Sequence, residues 1–104
     1  MQRDRSDAAR IPQMHDQVRR RAVVHGRVQG VFFRHSIRER AQAHGVSGWA
    51  TNRSDGALEA ALEGPAEAVQ RVLRFLETGP RRARVEYVSV QEEPPEGLTR
   101  FEIR

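Results

Sequence analysis

Ala57-Leu58-Glu59-Ala60-Ala61-Leu62-Glu63 admits two opposite readings. Alanine, leucine and glutamate are all strong helix formers, so intrinsic propensity reads a helix. The alternation reads a strand: Leu58, Ala60 and Leu62 fall on one face, Ala57, Glu59, Ala61 and Glu63 on the other. Length arbitrates. Gly56 and Gly64 close the stretch at seven residues, short for a helix and ordinary for a strand. A strand is therefore predicted.

On its N-terminal side, Ser54-Asp55-Gly56 is a turn signal. Before the turn, Val46 to Asn52 reads as a strand carrying Trp49. Gly45, just after His44, is a helix stop. The helix it ends starts near Phe33, with Phe33, Ile37 and Ala41 recurring at i, i+4 and i+8, while Arg38, Glu39, Arg40 and Gln42 mostly face water. Further upstream, Arg21-Ala22-Val23-Val24-His25 is a short strand closed by Gly26 and Gly30.

On the C-terminal side, Gly64-Pro65 sets up a second helix, with proline at its first helical position. Val69, Val72, Leu73 and Leu76 occupy i, i+3, i+4 and i+7, and Gly79-Pro80 ends the pattern. Arg84 to Gln91 alternates as a strand. Pro94-Pro95-Glu96-Gly97 interrupts regular structure, and Phe101-Glu102-Ile103 forms a short last strand.

The order is β-α-β-β-α-β plus a terminal strand. It predicts an α+β fold, a ferredoxin-like two-layer sandwich with a mostly antiparallel sheet and two helices on one face. The first two strands, joined by a helix, then run the same way with the third lying opposite between them. The end of the first, Val28 to Gly30, and the end of the second, Asn52, should meet at one edge of the sheet.

Composition bounds the rest. The chain has 104 residues, enough for one domain. Apolar residues make up 38% and charged residues 31%, a balance suited to a soluble domain with a small core. There is no run of about 18 apolar residues, which argues against a membrane span, and residues 1–10 lack the apolar stretch of a secretory signal. Cysteine is absent, which excludes disulfides, thiolate metal sites and cysteine nucleophiles. All 18 basic residues are arginine, so no lysine is available for a Schiff base or a Walker-type loop; codon bias in a GC-rich genome accounts for this most simply. Residues 1–17 read as a polar, flexible tail with three arginines against three aspartates, and residues 18–104 as the folded domain that carries the net charge of +4. Met14 is a candidate alternative start.

The segment Gly26-Arg27-Val28-Gln29-Gly30-Val31-Phe32-Phe33-Arg34 joins the first strand to the first helix. A strand-to-helix turn exposes backbone N–H groups at the positive end of a helix dipole. Gly30 lets the backbone bend so that these groups converge, and Arg34 in the first turn is placed to close the cradle with a guanidinium. This is an anion trap. A tight structural turn with a surface arginine fits the same spacing.

The full string resembles the signature of the acylphosphatase family. Gly48-Trp49-Ala50-Thr51-Asn52 with Asp55-Gly56 is a second family-like block, and Pro94-Pro95-Glu96-Gly97-Leu98-Thr99-Arg100-Phe101-Glu102-Ile103-Arg104 is similar to bacterial members. The resemblance covers about residues 18 to 104. It implies hydrolysis of acyl phosphates to a carboxylate and inorganic phosphate at a metal-free site that needs no cofactor. Carried over by position, the phosphate-binding residues are Gln29, Gly30, Val31, Phe32, Phe33 and Arg34, and the catalytic residues are Arg34 and Asn52, the latter positioning water. Ala50 and Thr51 depart from the family's usual Val and basic or polar residue. Arg53 is expected to face solvent rather than capture phosphate.

The mechanism so implied is chemically coherent. A carboxylate leaves readily, so holding the phosphoryl group and aiming water are the main tasks. An amide is a poor base, so Asn52 would orient water rather than deprotonate it.

Other residues carry blander expectations. His15, His25, His35 and His44 lack metal-ligand spacing, and His35 should point about 100° away from Arg34. Trp49 reads as a core residue or sheet anchor. Glu59, Glu63 and Glu67 read as a solvated face. One of Phe32 and Phe33 should pack in the core while the other shields the cradle. Arg21, Arg27, Arg81, Arg82 and Arg84 favour a nucleic-acid-binding module instead, but the third strand has no aromatic for base stacking and the fourth only Tyr87. A relative that binds phosphate without turnover is a third reading. The partners expected are a small acyl phosphate and inorganic phosphate as product and competitive inhibitor, with no membrane or nucleic acid, in a cytoplasmic monomer.

Overall fold

The structure, a computed structural model, describes residues 17–104. Residues 1–16 of the expected tail lie outside the described residues. Five strands and two helices follow in chain order: β1 (Gln17–Arg27), α1 (Phe33–His44), β2 (Ser47–Asn52), β3 (Leu58–Pro65), α2 (Ala66–Leu76), β4 (Arg84–Glu93) and β5 (Phe101–Ile103). The sheet order is β4-β1-β3-β2-β5. β3 is antiparallel to both β1 and β2, so these two run the same way on either side of it. β4 pairs antiparallel to β1, and only β5 is parallel to its neighbour, β2. This is the ferredoxin-like sandwich.

Register explains how the layers fit. Ala22, Ala60 and Ala50 lie side by side across β1, β3 and β2. All three are fully buried on the sheet face that Phe33, Ile37 and Ala41 of α1 and Val69, Val72, Leu73 and Leu76 of α2 cover. A row of methyl groups lets two helices approach closely, and the larger Val24, Leu58 and Leu62 fill the space around it. The next row is Val24, Leu58 and Asn52. Asn52 thus ends β2 on the helix-covered side, where the sequence pattern alone would place an apolar residue.

Several element boundaries differ from expectation. β1 is 11 residues long, because pairing on both sides extends it beyond its apolar run. Gly26 does not close it. The register with β4 shifts between His25 and Gly26, and Gly26 (φ +132°) forms a bulge against Arg84, where a Cβ would lie 2.1 Å from the Arg84 carbonyl oxygen. Pro65 is the last residue of β3 and the N-cap of α2, with extended ψ of 142°, rather than its first helical residue. Gly45 ends α1 as expected, its N–H reaching the Ala41 and Gln42 carbonyls. Among the described residues no helix is long and apolar enough to cross a membrane.

The other sheet face is not the solvated surface expected of Glu59 and Glu63. Glu63 is only 4% exposed. Its carboxylate accepts the backbone N–H groups of Glu96, Gly97 and Leu98, each at 2.8 Å, and the Arg19 Nη1 at 3.2 Å. The 94–100 segment is thereby strapped over the sheet. Burial pushes the Glu63 carboxyl up, but the N–H groups of Glu96 and Leu98, with Arg19 and Gly97, outweigh it and hold the group below the usual carboxylate range. Arg19 and Arg21 share Glu93, and Arg21 also reaches Glu59 at 2.8 Å. Trp49 lies between the Arg21 and Arg104 guanidiniums, 5.3 and 4.9 Å from its ring centre, as a sheet anchor. Arg21 is thus engaged within the protein.

Candidate active site

The β1–α1 loop leaves the sheet through Val28, which is buried and anchors it. Gly30 (φ +74°) and Phe32 (φ +61°) are both left-handed, while the intervening Val31 is not. Alternating handedness turns successive N–H groups toward one side, forming a concave nest. Among the described residues, the N–H groups of residues 30–35 make none of the backbone hydrogen bonds of turns, loops and caps; the first bond of the helix start is Ser36 N–H to Phe32 carbonyl, 3.0 Å. Phe32 caps α1 without a side-chain hydrogen bond, and the first helical turn has no acidic residue. Instead it carries Arg34 and His35. The Arg34 charge therefore adds to the positive end of the helix dipole rather than offsetting it.

One bond shapes the β2–β3 turn and two hold the loop against it. Asp55 Oδ1 accepts the Ala57 N–H at 3.0 Å, tightening the turn. The Ala57 N–H and then the Arg53 guanidinium hold the Asp55 carboxyl below its ordinary range. The Gln29 side-chain amide donates to the carbonyls of Arg53 at 2.7 Å and Ala57 at 3.0 Å. The strand ends are thus tied edge to edge, as the element order requires. Arg53 neither points freely to solvent nor reaches the cradle, because Asp55 holds it at 2.8 Å.

Arg34 is half-buried, and its Nη1 donates to the Arg104 main-chain oxygen at 2.8 Å. The Arg104 N–H in turn donates to the Ala50 carbonyl at 2.8 Å. The guanidinium is thereby fixed relative to the strand that carries Asn52, with most of its five N–H donors left over. Asn52 Oδ1 is buried and has no hydrogen-bond partner among the described residues. A buried carbonyl without a protein partner is a candidate acceptor for a hydrogen bond from a bound water.

Gly30, Phe32, Phe33, Arg34 and Asn52 line one pocket of about 220 Å³. Gln29 and Val31 do not line it: the Gln29 side chain grips the turn, and Val31 packs on the core. His35 also lines it and stands edge-on to Phe32 at 6.0 Å. The two phenylalanines divide cleanly. Phe33 is 2% exposed and packs edge-on against Phe75, while Phe32 is 75% exposed at the pocket rim. Among the described residues, no three His, Asp or Glu side chains come together as a ligand set for a metal ion.

Residues 20–103 match the acylphosphatase family model. An acylphosphatase from Rubrobacter xylanophilus is 56% identical over 85 residues, covering 81% of this chain and 77% of the relative. One from Gloeobacter violaceus is 51% identical over 86 residues, covering 83% and 92%. The solved structure of an acylphosphatase from Coxiella burnetii superposes with a TM-score of 0.86 at 31% identity, covering 90% of this chain and 99% of that one. Identity at this level over nearly the whole described domain places this chain in the acylphosphatase family of enzymes.

Proposed function

We propose that this chain hydrolyses acyl phosphates at the β1–α1 loop, by in-line attack of a water that Asn52 orients on a phosphoryl group held by Arg34 and the amides of residues 29–34, without a metal ion. The observation that carries the reading is that Arg34 and Asn52 line one pocket, with the Asn52 side-chain carbonyl lacking a partner among the described residues. The loop N–H groups and Arg34 offset charge on the equatorial phosphoryl oxygens. Gln29 contributes through its main chain, since its side chain braces the turn. The Asn52 carbonyl accepts a hydrogen bond from water and aims its lone pair at phosphorus. The water oxygen bonds to phosphorus, the bond to the acyl oxygen breaks, and the electron pair leaves with the carboxylate. The water proton passes to a phosphoryl oxygen. A carboxylate is a stable anion, so no strong acid is needed to expel it.

The test is release of phosphate from benzoyl phosphate with and without EDTA. Equal rates in both, with inorganic phosphate competing, are expected; dependence on a metal would refute the site. Asn52→Ala should lower kcat by about 10²-fold while phosphate inhibition stays the same. Loss of phosphate affinity in this variant would show that Asn52 binds the phosphoryl group instead.

A further inference from the structure

The nest has a second side. A groove of about 670 Å³ is lined by Val31, Phe32, Pro80, Arg81 and Arg82. It shares Phe32 with the Arg34–Asn52 pocket. A neighbouring depression brings Arg27 and Arg82 against Gly30, which also lines that pocket. The Gly30–Phe32 ridge therefore separates the phosphoryl cradle from a shelf that is apolar at its base and cationic at its edge.

The shelf is built, not a trailing loop. The Gly79 N–H donates to the Phe75 carbonyl at 2.7 Å and the Ala83 N–H to Pro80 at 3.0 Å. Gly79 abuts the Phe33 ring so closely that a Cβ there would lie 2.7 Å from it, and Ala83 packs on the core. The turn bearing Arg81 and Arg82 is thus pinned against the residue that starts α1. Among the described residues, Arg27, Arg81 and Arg82 have no carboxylate within 4.0 Å, whereas Arg19, Arg21 and Arg53 are all paired. Phe32, left-handed and largely exposed, is not explained by the core.

We infer that this shelf is the acyl-group subsite, and that Arg81 and Arg82 select acyl phosphates whose acyl chain carries its own negative charge. The inference rests on the hydrolytic reading above. With the phosphoryl group in the cradle, the acyl chain crosses the Phe32 ridge, lies on Val31 and Pro80, and presents its far end to the two guanidiniums. Two cations beside an apolar shelf attract an anionic chain end at low salt and lose that advantage as salt screens them.

The test compares benzoyl phosphate, whose acyl group is uncharged, with succinyl phosphate, whose acyl chain ends in a carboxylate. In the Arg81→Ala/Arg82→Ala double variant at low salt, kcat/KM for succinyl phosphate should fall about tenfold, and for benzoyl phosphate by less than about twofold. In the parent, high salt should erase the difference. Equal losses on both substrates, or none on either, would overturn the subsite while leaving hydrolysis intact. A parent that hydrolyses neither substrate would overturn both.

Discussion

Two places in this fold bring backbone N–H groups and an arginine to one point. At the first, the N–H groups of Glu96, Gly97 and Leu98 and the Arg19 guanidinium surround the Glu63 carboxylate. At the second, the loop from Gly30 and the Arg34 guanidinium converge beside Asn52. The physics is the same, since amide dipoles and a guanidinium favour an anion. The difference is who supplies it. Glu63 provides the anion from within the chain, and the site becomes a strap that holds the 94–100 segment on the sheet. Among the described residues, no Asp or Glu side chain pairs with the Arg34 guanidinium, which instead meets the Arg104 main-chain oxygen. On the proposed reading, an anionic ligand offsets the strain at Phe32 and the first-turn charge. One cradle stabilises the fold; the other, on that reading, serves binding.

This contrast breaks most sharply at Glu63. Glu63→Gln leaves Arg19 buried without its full counter-charge and should cost about 3–5 kcal/mol in urea unfolding. The folded-state pKa of Glu63 lies below its unfolded value, so its contribution is present above the unfolded carboxyl range and is lost as pH falls through the folded pKa. The acid limb of the stability profile should therefore flatten in the variant. An unchanged acid limb would remove Glu63 from the strap.

The converse holds at Arg34. Arg34→Ala should reduce kcat/KM by about 10²–10³-fold and abolish phosphate inhibition. Stability should change by no more than about 1 kcal/mol, because removing a cation from the positive end of a helix opposes loss of the bond to Arg104. A variant that unfolds easily but still turns over would reverse the roles assigned to the two cradles.

Inorganic phosphate offers a gentler probe. At about 100 times its Kd it should stabilise the parent by about 2.7 kcal/mol, read as a rise in Tm, and leave Arg34→Ala unmoved. The smallest effect is expected at His35. His35→Glu places a carboxylate in the first turn of α1, where the dipole favours it, and should add about 0.3–1 kcal/mol of stability while weakening phosphate inhibition. A gain in both would mean that the pocket and the helix start are not in conflict.

Elements differ in how far their local sequence specifies them. The strand at Leu58–Pro65 was readable despite its helix-forming composition, because seven residues between glycines cannot make a stable helix on their own. The loop from Gly26 to Arg34 was readable because glycine, helix start and arginine act over a few adjacent residues. The burial of Glu63 was not: its partners lie 33 to 44 residues away in sequence, and no local pattern encodes them. The left-handed start of α1 at Phe32 is likewise invisible to helical periodicity, which assumes a regular first turn.

The amino-acid sequence by itself determined the order of elements, the anion-attracting character of one loop and the residues available to it, since propensity, periodicity and turn chemistry act between near neighbours. Only the tertiary structure decided that Phe33 packs inward while Phe32 stays out, that Arg104 fixes Arg34, that Glu63 fills one cradle, and that Asn52 ends its strand with a buried carbonyl lacking a partner among the described residues. Those outcomes depend on strand register and layer packing, which bring together groups that the chain keeps far apart.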